Sequence, residues 1–210
     1  MSGLFITFEG PEGGGKSTQA RRLAAFLEAQ GYEVVLTREP GGTAISDQIR
    51  RVLLDHTNRA MHPRTEVLLF QASRAQHVEE LIRPALAQGR IVLCDRFADS
   101  TLAYQGYGRG EDVEELRALI AYATGGLQPD VTLWLDLPVE AGLARIRPDH
   151  RDRLDAETLA FHRRVREGYA RLAEADPQRW VRIDATAPAD DVQQAIRAAL
   201  QPHLPPRAAG

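Results

Sequence analysis

Two hydrophobic periods alternate along the 210 residues. Short, nearly unbroken apolar runs recur at Leu4-Phe5-Ile6-Thr7-Phe8, over residues 32–37 with Val34, Val35 and Leu36, at Ile91-Val92-Leu93-Cys94, at Val131-Thr132-Leu133-Trp134-Leu135 and at Trp180-Val181-Arg182-Ile183. Runs of this kind predict strands buried on both faces, as a parallel sheet requires. Between them the apolar spacing becomes helical. Ala20, Leu23, Ala24 and Leu27 form one stripe, and Ile45, Ile49, Val52 and Leu53 a second. A long helix is predicted over residues 65–88 with a kink at Pro84, and Gly89 ends it. Shorter helices are predicted over 98–105, followed by a glycine-rich turn over 106–110, and then over 113–123, 139–146, 155–173 and 191–200. Strict alternation of strand and helix predicts an α/β three-layer fold, a five-stranded parallel sheet flanked by helices. Ligands then belong at the C-terminal ends of the strands.

The chain is long enough for one domain, residues 1–210, with no internal repeat or linker. Residues 147–155 are highly charged with little to bury and predict a mobile lid, and the tail over 202–210 predicts fraying. A net charge of −3 gives no broad basic field, which argues against duplex nucleic acid as a partner. Cys94 is the sole cysteine, so no intramolecular disulfide can form, and its default role is a small buried hydrophobe. The six histidines show no mutual ligand spacing. No apolar run reaches the ~18 residues of a membrane span, and the N-terminus reads as a strand rather than a signal peptide, so a cytoplasmic protein is expected.

Chemistry enters at Gly10-Pro11-Glu12-Gly13-Gly14-Gly15-Lys16-Ser17, which has the spacing of a phosphate-binding loop. A strand precedes it and a helix beginning near Thr18 follows, which is the context the motif needs. Glycines allow a concave nest of backbone N–H groups, and the helix aims its positive end at the same point. Lys16 adds charge for the outer phosphates and the Ser17 hydroxyl can ligate Mg²⁺. The chain is expected to bind a nucleoside triphosphate. Base-reading Asn-Lys-x-Asp and switch Asp-x-x-Gly segments are absent from the sequence, which argues against a GTPase. Arg38 instead follows the second strand, Arg74 lies on the long helix and Arg96 follows the third strand, an arrangement suited to a second phosphate-bearing ligand facing the first.

With these pieces in order, the chain resembles the thymidylate kinases of bacterial type. The resemblance rests on the loop with Phe8-Glu9, on Thr37-Arg38-Glu39-Pro40-Gly41-Gly42-Thr43, on Leu69-Phe70 with Arg74, on Asp95-Arg96-Phe97 with Ser100, on Ala103-Tyr104-Gln105-Gly106 and on Asp152-Arg153-Leu154. It runs from residue 4 to about 185.

The resemblance implies that ATP, with Mg²⁺, phosphorylates dTMP, and it implies a homodimer. Arg96 and Arg38 would hold the acceptor monophosphate, and Glu12 the sugar 3′-hydroxyl. Phe70 would stack on the base, Arg74 would donate to its carbonyl, and Ser100 and Gln105 would bond its edge. Tyr104 would exclude a ribose hydroxyl. Ser17 and Asp95 stand as metal candidates, and Arg145 as a residue stacking on adenine. Without the resemblance, Phe70 and Tyr104 read as core and Asp95-Arg96 as a surface ion pair. Relatives of eukaryotic type carry an arginine where this chain has Gly13. Catalytic charge is therefore expected from Arg147 or Arg151, with Arg153 pairing Asp152 or Asp155 as the plainer reading of that residue. The competing functions are another small-acceptor kinase and a nucleotide-driven regulatory switch.

Overall fold

The computed structural model describes residues 3–147 and 153–206. Five parallel strands form one sheet: β1 (Leu4–Glu9), β2 (Val34–Arg38), β3 (Ile91–Asp95), β4 (Val131–Asp136) and β5 (Trp180–Asp184), in the order β2-β3-β1-β4-β5. The central strands β1, β3 and β4 are buried almost throughout, as their unbroken apolar runs require. β1 pairs with β3 in the register Phe8↔Asp95, so the turns after both strands open side by side. This is the switch point of the sheet, where the connections leave in opposite directions.

Helices cover both faces. On one, α1 (Lys16–Glu28) and α9 (Ala189–Leu200) bury Leu23, Leu27, Val192 and Ile196 against Ile6, Leu93, Leu133 and Ile183. On the other, α8 (Leu159–Ala175) brings Phe161, Val165 and Tyr169 to Trp134 and Trp180. A third cluster joins Phe5, Val92, Cys94 and Phe97 to Val78 and Ile82. The remaining helices are α2 (Ala44–Leu54), α3 (Pro63–His77), α4 (Arg83–Ala87), α5 (Ala98–Thr101), α6 (Val113–Thr124) and α7 (Val139–Arg145).

Two irregular helices depart from the sequence reading. The long helix is distorted not at Pro84 but in the turn before it, where Val78–Ile82 widens into a π-helix joining α3 to α4. Proline cannot donate to the carbonyl four residues back, and its ring crowds that carbonyl, so the preceding turn opens. The second is the predicted glycine turn. A π-helical stretch, Leu102–Gly108, continues α5 through it, held against α8. A Cβ on Gly108 would come within 2.7 Å of the Phe161 ring, so this close approach requires glycine. α8 itself starts at Leu159, where the Thr158 hydroxyl accepts from the Phe161 N–H. At the C-terminus, Gln201–His203 forms a short 3₁₀ turn and the Pro205 carbonyl accepts from Tyr32.

Beneath the sheet ends, Arg179 donates to both carboxylate oxygens of buried Asp99 at 2.6 and 3.0 Å and to Thr132 Oγ1 at 2.7 Å. Removing one partner of a buried pair leaves an uncompensated charge. Arg179→Ala should therefore lower the unfolding free energy by about 3 kcal/mol, and pairing Arg179→Met with Asp99→Leu should recover most of that loss. Urea titration of the three proteins measures both.

Candidate active site

The loop between β1 and α1 is shaped by backbone conformations closed to ordinary side chains. Gly13 has φ +70°, and Gly15, with φ +82°, caps α1. At Gly13 the space is also filled: a Cβ would lie 2.0 Å from the Gly142 carbonyl oxygen of α7. From the same helix, Arg145 donates to the Ala185 carbonyl at 3.0 Å and, more weakly, to that of Gly13 at 3.4 Å. Lys16 is folded back over the loop, its Nζ donating to the carbonyls of Pro11 at 2.8 Å and Gly10 at 3.1 Å. Burial, and then the charge of Arg96, lowers its pKa to about 8, although Glu12 and Asp95 oppose the shift. Ser17 donates its hydroxyl proton to the Asp95 carboxylate at the end of β3. Thr18 follows in the first turn of α1.

Arg96 lies at the centre of the site. Its φ of +67° is the one positive value among described residues other than glycine. That conformation persists only where neighbours over-determine it. Its N–H donates to the Phe8 carbonyl at 2.9 Å, and its own carbonyl accepts from Cys94 Sγ. The guanidinium donates to Glu12 at 2.8 Å, to the Gly10 carbonyl and Tyr169 hydroxyl at 3.1 Å each, and to Ser100 at 3.3 Å. It also lies 4.9 Å over the Tyr104 ring. Burial alone would raise the Glu12 pKa. The charges of Arg96 and Lys16, with a 2.5 Å hydrogen bond from the Tyr104 hydroxyl, outweigh it and bring the value to about 2. Glu9 supports the turn from below. It accepts from Phe97 N, Ser100 and Tyr169, while burial and the charge of Asp99 push its carboxyl up to about 7.

A third group of side chains completes the far wall. Arg38, half exposed, pairs with Asp47 at 3.0 Å. Arg74 is only 2% exposed, and its donors reach Glu39 at 2.8 Å, Gln71, Thr101 and the Phe97 carbonyl. Glu39 also faces His77 Nδ1 at 3.1 Å. Gln105 donates to buried Glu66.

One cavity of about 200 Å³ gathers these groups. Glu12, Lys16, Ser17, Arg38, Phe70, Arg74, Asp95, Arg96, Ser100, Tyr104 and Gln105 all line it. Arg145 meets the loop from α7 without lining the cavity, and Gly10, Pro11, Gly13, Gly14, Gly15 and Thr18 are likewise not among the lining residues. Arg147 ends the described stretch after α7 and is not among the lining residues, and Arg151 lies outside the described residues. Arg153 donates to Glu66 at 2.5 Å and to the Leu53 carbonyl at 2.9 Å, partners that the sequence reading had not considered. Arg50, Leu54 and Leu154 also line the cavity unforeseen, as do Glu39 and Pro40 of the recognised Arg-Glu-Pro block. Glu9 and Tyr169 were missed as well, although Glu9 carried a signal: a carboxylate ending an apolar strand beside the loop. The residues fit a magnesium ion, since Ser17 and Asp95 bring oxygen donors together beside Lys16.

Residues 8–196 match the family model described as thymidylate kinase. The thymidylate kinase of Herpetosiphon aurantiacus is 52% identical, with 96% of each chain covered. That of Thermomicrobium roseum is 57% identical, with 93% of each covered. Among solved structures, the thymidylate kinase of Ehrlichia chaffeensis superposes with a TM-score of 0.78 at 35% identity, covering 96% of this chain and 99% of that one.

The lowered pKa of Lys16 has a measurable consequence. At pH 9 a lysine with pKa about 8 is mostly neutral, and bound phosphates would restore its charge. Binding of tripolyphosphate at pH 9 should therefore take up roughly nine-tenths of a proton at this site, an uptake lost in Lys16→Met. Calorimetry in buffers of different ionisation heat counts the protons.

Proposed function

The chain belongs to the thymidylate kinase family, and from that premise, with transfer of the γ-phosphoryl group of ATP to dTMP as its reaction, we propose how its residues divide the work. The observation that carries this division is the single cavity in which Lys16 faces Arg38 and Arg96. One cation follows the triphosphate loop, and two stand where an acceptor phosphate would meet it. A regulatory switch has no use for the second pair, and a nucleoside kinase has no acceptor phosphate for it to hold.

Phosphoryl transfer asks mainly for in-line positioning and charge stabilisation. The loop N–H groups and Lys16 hold the triphosphate. Ser17 and Asp95 would hold Mg²⁺, which when bound neutralises charge on the β- and γ-phosphates. Arg96 and Arg38 take the acceptor phosphate, whose oxygens match guanidinium forks. Glu12 is ionised at neutral pH and accepts the sugar 3′-hydroxyl. Phe70 stacks on the thymine, Arg74, Gln105 and Ser100 read its edge, and Tyr104 closes the space a 2′-hydroxyl would need. Arg145 borders the donor nucleotide. Gly13 cannot carry charge to the transferring group, so Arg147 or Arg151 supplies it.

The protein works as a homodimer in the cytoplasm, where both nucleotides are available. Supporting the dimer, α3 touches α2 and α6, and Ile45, Val52, Leu68, Leu119 and Tyr122 of these helices are exposed, Leu68 by 58%. Leu68→Glu should shift sedimentation from dimer to monomer; a wild-type protein that sediments as a monomer at micromolar concentration refutes this point.

An ADP-release assay over a panel of nucleosides and monophosphates should show turnover highest with dTMP. Slow turnover indifferent to acceptor would overturn the reading. In the same assay Arg96→Ala should reduce kcat/KM for dTMP by a factor corresponding to about 2–5 kcal/mol, with the KM for ATP little changed. Of Arg147→Ala and Arg151→Ala, the one that removes the bridging charge should lose at least about tenfold in kcat at nearly constant dTMP KM.

A further inference from the structure

Glu66, in the first turn of α3, is 1% exposed and has no part in the division of roles above. Three side chains from distant parts of the chain converge on its carboxylate. Gln105 Nε2 donates at 2.8 Å, Arg109 donates through Nε at 2.7 Å and Nη2 at 3.0 Å, and Arg153 Nη2 donates at 2.5 Å. Arg109 is itself shared with Glu157 at 3.0 Å. Arg153 is anchored by its second bond to the Leu53 carbonyl at the end of α2.

An ionised carboxylate only accepts hydrogen bonds, whereas a glutamine side chain has one donating and one accepting end. With two guanidinium groups on it, Glu66 stays ionised: burial would raise its pKa, but the bonds from Arg109 and Gln105 bring it below the ordinary value. Gln105 can therefore meet Glu66 only through its amide nitrogen. The carbonyl is the end left for the cavity that Gln105 lines. Arg74, lining the same cavity, has four of its five N–H donors on Glu39, Gln71, Thr101 and the Phe97 carbonyl, and the one left on Nη2 can only donate. An acceptor beside a donor suits a pyrimidine that presents a ring N–H next to a carbonyl. It mismatches one that presents a bare ring nitrogen next to an amino group, because two acceptors and two donors would then face each other.

We propose that Glu66 is a positioning residue for base selection, fixing the Gln105 amide so that the cavity accepts thymine and rejects cytosine. Arg109 and Arg153 contribute by keeping that carboxylate charged. This rests on the reading above in which Gln105 faces the base. A neutral amide at position 66 could either donate or accept, so the orientation of Gln105 would no longer be dictated.

The test is the ratio of kcat/KM for dTMP to that for dCMP, with dCMP used as a competitor if its turnover is too slow. This ratio does not depend on the fraction of correctly folded enzyme. Glu66→Gln should lower it by at least about tenfold, the scale of one buried mismatched hydrogen bond, with the KM for ATP within about twofold of wild type. Gln105→Ala should lower the ratio too. If Gln105→Ala lowers it and Glu66→Gln does not, the positioning role is overturned while the base reading survives. If Gln105→Ala leaves the ratio unchanged, the base reading itself fails and the inference falls with it, whatever Glu66→Gln does.

Discussion

The ion pair between Arg96 and Glu12, at 2.8 Å and mostly buried, expresses the constraint on this site. Two anionic nucleotides must be drawn together, so cations must be held out of water before either arrives. A buried cation with no partner costs several kcal/mol. The free protein meets that cost with its own carboxylates: Glu12 on Arg96, Glu39 on Arg74, Asp47 on Arg38, Glu66 on Arg109 and Arg153. These pairs differ in how easily they exchange. Arg38–Asp47 is half exposed, so water screens it and a phosphate can displace it cheaply. Arg74–Glu39 is sealed and held by further bonds, so the pair fixes Arg74 in place and does not exchange. Arg96 lies between, about 16% exposed, with partners enough to be aimed but a face open to the cavity.

Sheet topology makes this aim possible. Pairing β1 with β3 sets Phe8 beside Asp95, and the Arg96 N–H closes on the Phe8 carbonyl. The left-handed turn at Arg96 then directs its side chain back over Gly10 and Glu12, while Glu9 ties Phe97, Ser100 and Tyr169 underneath. The same carboxylate that buttresses the turn is pushed toward neutrality by burial and Asp99. A strained backbone and a perturbed carboxyl thus sit beside the cavity that Lys16, Arg38 and Arg96 line together, a usual place for such costs.

Most of the fold was legible in the chain, because period-two and period-3.6 patterns report burial directly and the sheet is buried on both faces. The loop was legible because its glycines and Lys16 act through local geometry. The arginines could be picked out by type and placement, and Arg38, Arg74 and Arg96 do line one cavity, but their partners could not be foreseen. Glu66 meets Gln105, Arg109 and Arg153 across separations of 39, 43 and 87 residues, and no local pattern encodes such a meeting. The helix distortions had a legible cause, proline and glycine, and an illegible form. Whether Leu102–Gly108 turns or continues as a widened helix is decided by the fit of Gly108 and Tyr107 against α8.

Gly13 carries the last step. The missing side chain in the loop could be neutral drift, or it could be enforced. Here it is enforced from two sides. A Cβ on Gly13 would lie 2.0 Å from the Gly142 carbonyl, and one on Gly142 would lie 2.1 Å from the Glu12 carbonyl. Loop and helix α7 meet backbone to backbone, a contact that fixes Glu12 and Arg145 on either side of it. An arginine placed at position 13 would have to prise that contact apart before its charge could help. On the proposed roles the charge then has to come from a segment not locked into this contact, the chain after α7 that carries Arg147, Arg151 and Arg153. The tight seat of the loop and, on the proposed roles, the need for an arginine from elsewhere in the chain both follow from two glycines.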